Sequence, residues 1–557
     1  MYWLAAFALC ALVLVLYSPT IGSGFVWDEY NVFANGKSES FIEFYEYQFV
    51  RPMLNSMFGF ERKLWSDDAR PYHILNIILH LLNIAAVYIL ALRLRLGRRV
   101  AAVAAAIFAF HPSATEAVSW VWGRPELLMT LFFNTSLIAY IAYRTDGEWQ
   151  ALATSGVFFL LSLLSGQSAI VLFAIVPICE ICIDSASNRK RIAWGIISYM
   201  VAVTVYIALL PGVGELHPIF SFETAKIFDS LSLIGYYSIN MVAPYKQTLL
   251  PETGGAVYLL MTSLVLPAVS GLLLWEGHRK AGVLGIISFL CLVPASAVAT
   301  QGDSFPIGLR HVYMALPPLF LMIAMAIDTI KNRQVFNMFV AVILIALSAF
   351  TYSRTAVWQS SVSVWADSAA KAERRAAAEI NHAAALERAG RDDESRAAIF
   401  RAFAKPEFKS DEFQKAALIY ADAGGVDALD EFIDMASKYT SQEQAFYGAG
   451  YICYREYYKR RNSPDLLNKS MEYFERSLTL NPQMLDANYH LGVIYLESGE
   501  MDKARHYFGI VNSIISDGEG SDVIKSLIDR IDRTDPSRSE SNGRKPLGLS
   551  RPESTRN

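Results

Sequence analysis

The chain is 557 residues long and carries 49 Lys and Arg against 53 Asp and Glu, a net charge of −4. That balance excludes the basic excess of a nucleic-acid-binding protein. Hydrophobic residues reach 53% and charged residues only 18%, and a mean hydropathy of +0.28 is too apolar for a water-soluble protein of this size.

The average covers two regimes. Residues 1–352 are built of apolar runs, whereas 353–557 are polar and charged. The expectation is an all-α chain with a polytopic membrane bundle over 1–352 and a soluble helical domain over 353–533. The remaining 534–557, rich in Ser, Arg and Pro without apolar periodicity, reads as a disordered tail. Five cysteines exclude a disulfide scaffold. Cys179 and Cys182 form a C-x-x-C with no second pair at zinc spacing, so they read as packing residues.

The first apolar run, 3–19, has no preceding positive segment and no clean cleavage site, and reads as an uncleaved span. Further runs fall near 73–92, 100–119, 126–143, 150–166, 168–183, 192–211, 256–275, 281–299, 313–329 and 336–352, about eleven passes in all. Residues 229–250 are apolar but contain Pro244, Lys246 and Pro251, which suits a re-entrant or interfacial segment. Basic clusters at Arg93–Arg99, Arg189–Arg191, Arg279–Lys280 and Lys331–Arg333 share one face if the N-terminus is inside and the passes number eleven. The positive-inside rule makes that face cytoplasmic. Loops 21–72, 212–228 and 300–312 and the C-terminal domain then lie outside. In a bacterium this is an inner-membrane protein with a periplasmic domain; in a eukaryote, an endoplasmic-reticulum protein with a lumenal one.

The first long loop carries Trp27, Asp28 and Glu29. Phe41, Phe44, Tyr45, Tyr47 and Phe49 then alternate with Glu39, Glu43 and Glu46, a pattern suited to the membrane interface. The run Val100–Phe110 is too short to span alone, which places His111, Thr115 and Glu116 at or within the bilayer edge, where ionisable groups are expensive and by default functional. Pro112 suits the first turn of a new helix entered at His111, with Arg124 beyond a bend at Gly123. The alternative is a buried His–Glu–Arg network that only joins helices. Arg51, and Arg310 with His311, add cations on the same side. Carboxylates at Asp28, Glu29 and Glu116 facing several arginines suit a phosphate-bearing lipid substrate, because Arg grips phosphate in a planar fork and a carboxylate takes a proton.

In the polar half, Ala487, Leu491, Gly492, Tyr495, Gly499, Ala504 and Phe508 follow the tetratricopeptide spacing. A second copy aligns at Ala445, Ala449, Gly450, Phe474, Ser477 and Pro482, with a longer inter-helix loop around 460–468. A third, degenerate copy runs from Ala378 through Ala383 and Leu386 to Gly390. Such units stack into a concave surface that usually binds a chain.

Several stretches together resemble the GT-C superfamily of polyprenyl-phosphosugar glycosyltransferases, in particular the transmembrane and tetratricopeptide-repeat protein O-mannosyltransferases and their bacterial relatives. They are Phe25–Glu29, Arg51–Asn55, Tyr72-His73 with Asn76, His80 and Asn83, Phe110-His111-Pro112 with Thr115–Val118, Gly123-Arg124, and Arg310–Tyr313 with Pro317. Trp358 and Trp365 then lead into the repeats. The resemblance covers nearly all of 20–510. It departs at Glu29, where many relatives have Asp, and at Ser165-Gly166-Gln167, where relatives often carry a lysine.

The resemblance implies transfer of a sugar, such as mannose, from a polyprenyl or dolichyl phosphate to a protein hydroxyl, with inversion. Asp28 would be the base, with Glu29 and Glu116 orienting. Arg51, Arg124, Arg310 and His311 would hold the donor phosphate, supported by His111 and Tyr313. The repeats would engage the protein acceptor. No cofactor and no metal ligands are assigned, and a divalent ion stays open. Transfer to a lipid or envelope glycan, and a non-enzymatic membrane-anchored scaffold, are the alternative readings.

Overall fold

The computed structural model describes residues 2–27, 29, 52–183, 189–209, 224–244, 246–252, 257–299, 308–408, 410–460, 463–515 and 519–534. Asp28, Arg51, the aromatic stretch 41–49 and the tail from 535 onward lie outside these. Among the described residues every regular element is a helix. The chain divides into two compact units, 1–373 and 374–557.

The first unit contains α1 (Tyr2–Ile21), α2 (Pro52–Trp65), α3 (Ala69–Arg93), α4 (Arg98–Phe110), α5 (Thr115–Ser119), α6 (Arg124–Asp146), α7 (Trp149–Ser165) and α8 (Val171–Cys179). It continues with α9 (Arg189–Leu209), α10 (Thr224–Val242), α11 (Val257–Trp275), α12 (Arg279–Ala299), α13 (Leu316–Asp328), α14 (Arg333–Val357) and α15 (Ser361–Lys371). Each of the eleven expected spans coincides with a helical segment. Among the described residues six helices are long and apolar enough to cross a membrane, and the bent pair Arg98–Phe110 and Pro112–Ser119 makes a seventh. Phe7–Ile21, Trp149–Ser165 and Gln167–Cys179 are shorter apolar helices. The chain is a multi-pass membrane protein. Within segment 229–250, α10 is a regular 19-residue helix packed on α11 and α12, and it is not among the helices long and apolar enough to cross a membrane. Pro244, Lys246 and Pro251 all lie beyond its end.

Helix α3 shows how the bundle sorts its faces. Ile74, Ile78, Leu82 and Ile89 are exposed, while His73, Asn76, His80 and Asn83 are fully buried. This inverted stripe, apolar outward and polar inward, is what a lipid solvent selects. The inward residues have a backbone to satisfy. Pro112 ends α4, and a break inside a membrane orphans carbonyls. Thr351 on α14 donates to the Phe110 carbonyl at 2.6 Å. Asn76 Nδ2 donates to the Val118 and Trp120 carbonyls, and Asn83 Nδ2 to that of Leu127.

The first unit extends past the apolar region, because α15 belongs to it. Ser361 Oγ accepts from the Trp27 N–H at 2.7 Å, and Trp365 meets the Trp27 ring edge-to-face at 5.2 Å. Ser368 Oγ accepts from the Leu249 N–H, and Lys371 Nζ donates to the Gln247 carbonyl at 2.9 Å.

The second unit consists of α16 (Ala376–Arg388), α17 (Asp392–Phe403), α18 (Ser410–Asp422), α19 (Leu429–Tyr439), α20 (Gln442–Lys459), α21 (Pro464–Leu480), α22 (Leu485–Glu497), α23 (Met501–Ile514) and α24 (Glu519–Thr534). The pairs α16–α17, α20–α21 and α22–α23 pack as hairpins. Ala487, Leu491, Ala504 and Phe508 are buried between α22 and α23, and a Cβ on Gly492 would press to 2.9 Å from the Phe508 ring. Gly450 stands in the same relation to Phe474. Gly390 and Gly499 make the turns at φ +70° and +78°, where side chains are disfavoured. The loop in the second hairpin is shorter than expected, since α21 begins at Pro464. Burial beside Tyr447, Tyr451, Tyr454 and Phe474 pushes the His490 imidazole down to about 4.

Candidate active site

The site is built on the double break between α4 and α6. His111 is extended (φ −82°, ψ 128°), and its Nδ1 accepts from the Ser113 N–H, capping a short 3-10 turn that starts at Pro112. Its ring packs on Phe320, 4.9 Å between centroids. Helix α5 lasts five residues before the chain breaks again at Trp120. Gly123 closes the second break against α5, where a Cβ would meet the Ala117 backbone at 2.7–2.8 Å. A polar helix break in an apolar bundle is the arrangement by which membrane proteins place charge at depth.

Glu29 is fully buried, and its carboxylate accepts three backbone N–H groups: Val26 at 2.7 Å, Val121 at 2.5 Å and Trp122 at 3.3 Å. It therefore staples the start of the first loop to the second break. Trp27, at φ +60°, stacks on Trp120 at 5.2 Å. Both neighbours of Asp28 are thus tied down.

Glu116 pairs with Arg310. Oε1 accepts from Arg310 Nη1 at 2.7 Å and Oε2 from the Leu309 N–H at 2.7 Å. The guanidinium carbon sits 4.9 Å from the Trp120 ring centroid, so Glu116, Arg310 and the Trp27–Trp120 stack form one cluster. Beside it opens a polar cleft lined by Pro112, Thr115, Glu116, Gln247, Thr248, Leu309, Arg354 and Trp358.

Arg124 is placed differently from the expectation. It is fully buried and its donors are committed: Nε to Asn76 Oδ1 at 2.8 Å, Nη2 to the Tyr72 carbonyl at 3.0 Å, and Nη1 to Glu61. Phe58 lies under the guanidinium at 4.8 Å. In this arrangement it joins α2 and α3 to the start of α6, and not to His111 and Glu116 as in the His–Glu–Arg network weighed from sequence, since Glu116 pairs with Arg310. His311 faces Glu126 at 3.4 Å. Tyr313 shares a 2.7 Å hydrogen bond with His80 Nδ1 in the core.

Glu61 and Glu126 are the residues that sequence reasoning passed over. Glu61 sits in a Glu-Arg-Lys triplet that reads as an exposed charge run. Only its 2% exposure marks it as a partner. No group of three His, Cys, Asp or Glu is gathered for a metal ion among the described residues.

A multi-pass α-helical membrane protein with carboxylates and arginines gathered at a broken helix is the class these features define. No family model matches the chain. Among curated proteins it is similar to the protein O-mannosyl-transferases of the TMTC type. It is 26% identical over 255 residues to Tmtc1 of Drosophila melanogaster, covering 42% of this chain and 27% of that protein. It is 26% identical over 420 residues to F38B6.6 of Caenorhabditis elegans, covering 64% and 56%. With TMTC3 of Mus musculus it shares 36% over 90 residues, covering 16% and 10%. The chain thus spans between about a quarter and about half the length of the first two relatives.

Proposed function

We propose that the protein is a membrane glycosyltransferase that moves a sugar, such as mannose, from a polyprenyl or dolichyl phosphate to a protein hydroxyl, with inversion. The observation that carries the reading is the convergence of Trp27, Glu29, Glu116 and Arg310 on one helix break. The similarity to proteins named protein O-mannosyl-transferases supports it.

Asp28 is the base that takes the acceptor proton as the hydroxyl attacks the anomeric carbon. Arg310 and Arg51 receive the charge that develops on the leaving phosphate, the usual largest contribution in such a site. Glu116, beside Arg310, orients the reacting groups. Glu29 and Arg124, enclosed as they are, hold the frame of the broken segment. His311 and Tyr313 support the Arg310 segment from behind.

The second unit presents the protein acceptor, as a tetratricopeptide array. Truncation must follow Glu373, because a cut before 371 removes the Lys371 contact to Gln247. The enzyme lacking 374–557 should retain binding of the lipid donor and lose transfer to protein by at least tenfold. Normal protein glycosylation by that truncated form overturns the acceptor role.

The site and the second unit lie on the extracytoplasmic side, since the four basic clusters put the opposite face in the cytoplasm. A cysteine introduced at position 518 should react with a membrane-impermeant thiol reagent in intact cells or spheroplasts. Labelling only after lysis sinks this topology.

A further inference from the structure

The anion seat beside the helix break is already occupied. Both oxygens of Glu116 are engaged on one short stretch, Oε2 on the Leu309 N–H and Oε1 on Arg310 Nη1, each at 2.7 Å. The two side chains are only 8% and 12% exposed. Gly308 makes the fit possible, since a methyl there would overlap the carboxylate. Its backbone, φ −57° and ψ 166°, suits alanine equally well. A guanidinium, a backbone N–H and a missing side chain therefore accommodate an oxyanion, and Glu116 supplies it. Carboxylate and phosphate oxygens make the same demands on an N–H and a guanidinium fork.

We propose that Glu116 is a resident stand-in for the donor phosphate, displaced from Arg310 and Leu309 when the phosphate binds and left facing the polar cleft of Thr115, Gln247, Thr248 and Arg354. A guanidinium with no anion in so dry a place is costly, and exchanging one anion for another keeps Arg310 paired throughout. Glu116 then opposes donor binding before it assists transfer. This is the reverse of the sign expected from a residue that only orients substrate. The inference rests on the lipid-phosphate reading above.

The test titrates the purified full-length protein with farnesyl phosphate and, separately, with inorganic phosphate. Glu116→Gln and Glu116→Ala should each bind farnesyl phosphate about tenfold tighter than wild type, the worth of one charge-assisted hydrogen bond. The gain should vanish when Arg310→Ala is combined with Glu116→Gln. Glu116→Ala also empties the seat, so it carries the test alone if Glu116→Gln does not fold. Equal or weaker phosphate binding by the folded variants overturns the stand-in role. If the variants tighten on inorganic phosphate while farnesyl phosphate binds to no form, the seat stands and the lipid-donor reading falls.

Discussion

Asp28→Asn should retain donor binding and lose turnover by a factor on the order of 10²–10⁴, the range of a general-base contribution. The substitution keeps size and most hydrogen-bonding capacity and removes only the proton acceptor. Its neighbours make the comparison clean. Trp27 is held by Ser361 and by the Trp120 and Trp365 rings, and Glu29 by three backbone N–H groups, so the change should not propagate through the loop. KM for the lipid donor should stay near wild type while kcat collapses, the pattern of an interaction made in the transition state. Near-normal kcat with the correct donor would place the base elsewhere.

Arg124→Ala should be the most destabilising single change at the site. It removes three hydrogen bonds and leaves Glu61 as an unpaired carboxylate in a fully enclosed place. Breaking a buried pair from one side typically costs about 3–5 kcal/mol. Glu61→Ala should behave alike. Replacing both partners with leucine should recover much of the loss, because Phe58 and Tyr72 already surround the pair with ring surface. Thermal unfolding in detergent reads this directly. Single variants that melt with the wild type show that the pair does not hold α2 and α6 together.

The order of the apolar helices was legible because hydropathy records the solvent each helix meets, although among the described residues only six of them, or seven with the bent pair, are long and apolar enough to cross a membrane. The break at His111-Pro112 was legible because proline cannot continue a helix, and the turn at Gly499 because few residues besides glycine accept its φ. What stayed hidden depends on partners distant in sequence. Arg124 finds Glu61 across 63 residues, and nothing in a Glu-Arg-Lys triplet says which charge turns inward. The end of the first unit was hidden for a related reason. Helix α15 is held by hydroxyls, tryptophans and one lysine, which a hydropathy average scores as polar.

The polar stripe of α3 has a consequence for how this chain can vary. Asn76, His80 and Asn83 act by register: each meets a particular atom on the broken segments or on α6, while Ile74, Ile78 and Leu82 are exposed on the outer face. The outer stripe can exchange among apolar residues freely. A single inserted residue upstream of position 76 would rotate the whole set by about 100°, swinging the amides into hydrocarbon and stripping the break of its caps at once. Homologous chains should therefore drift in composition along this helix yet tolerate no length change within it.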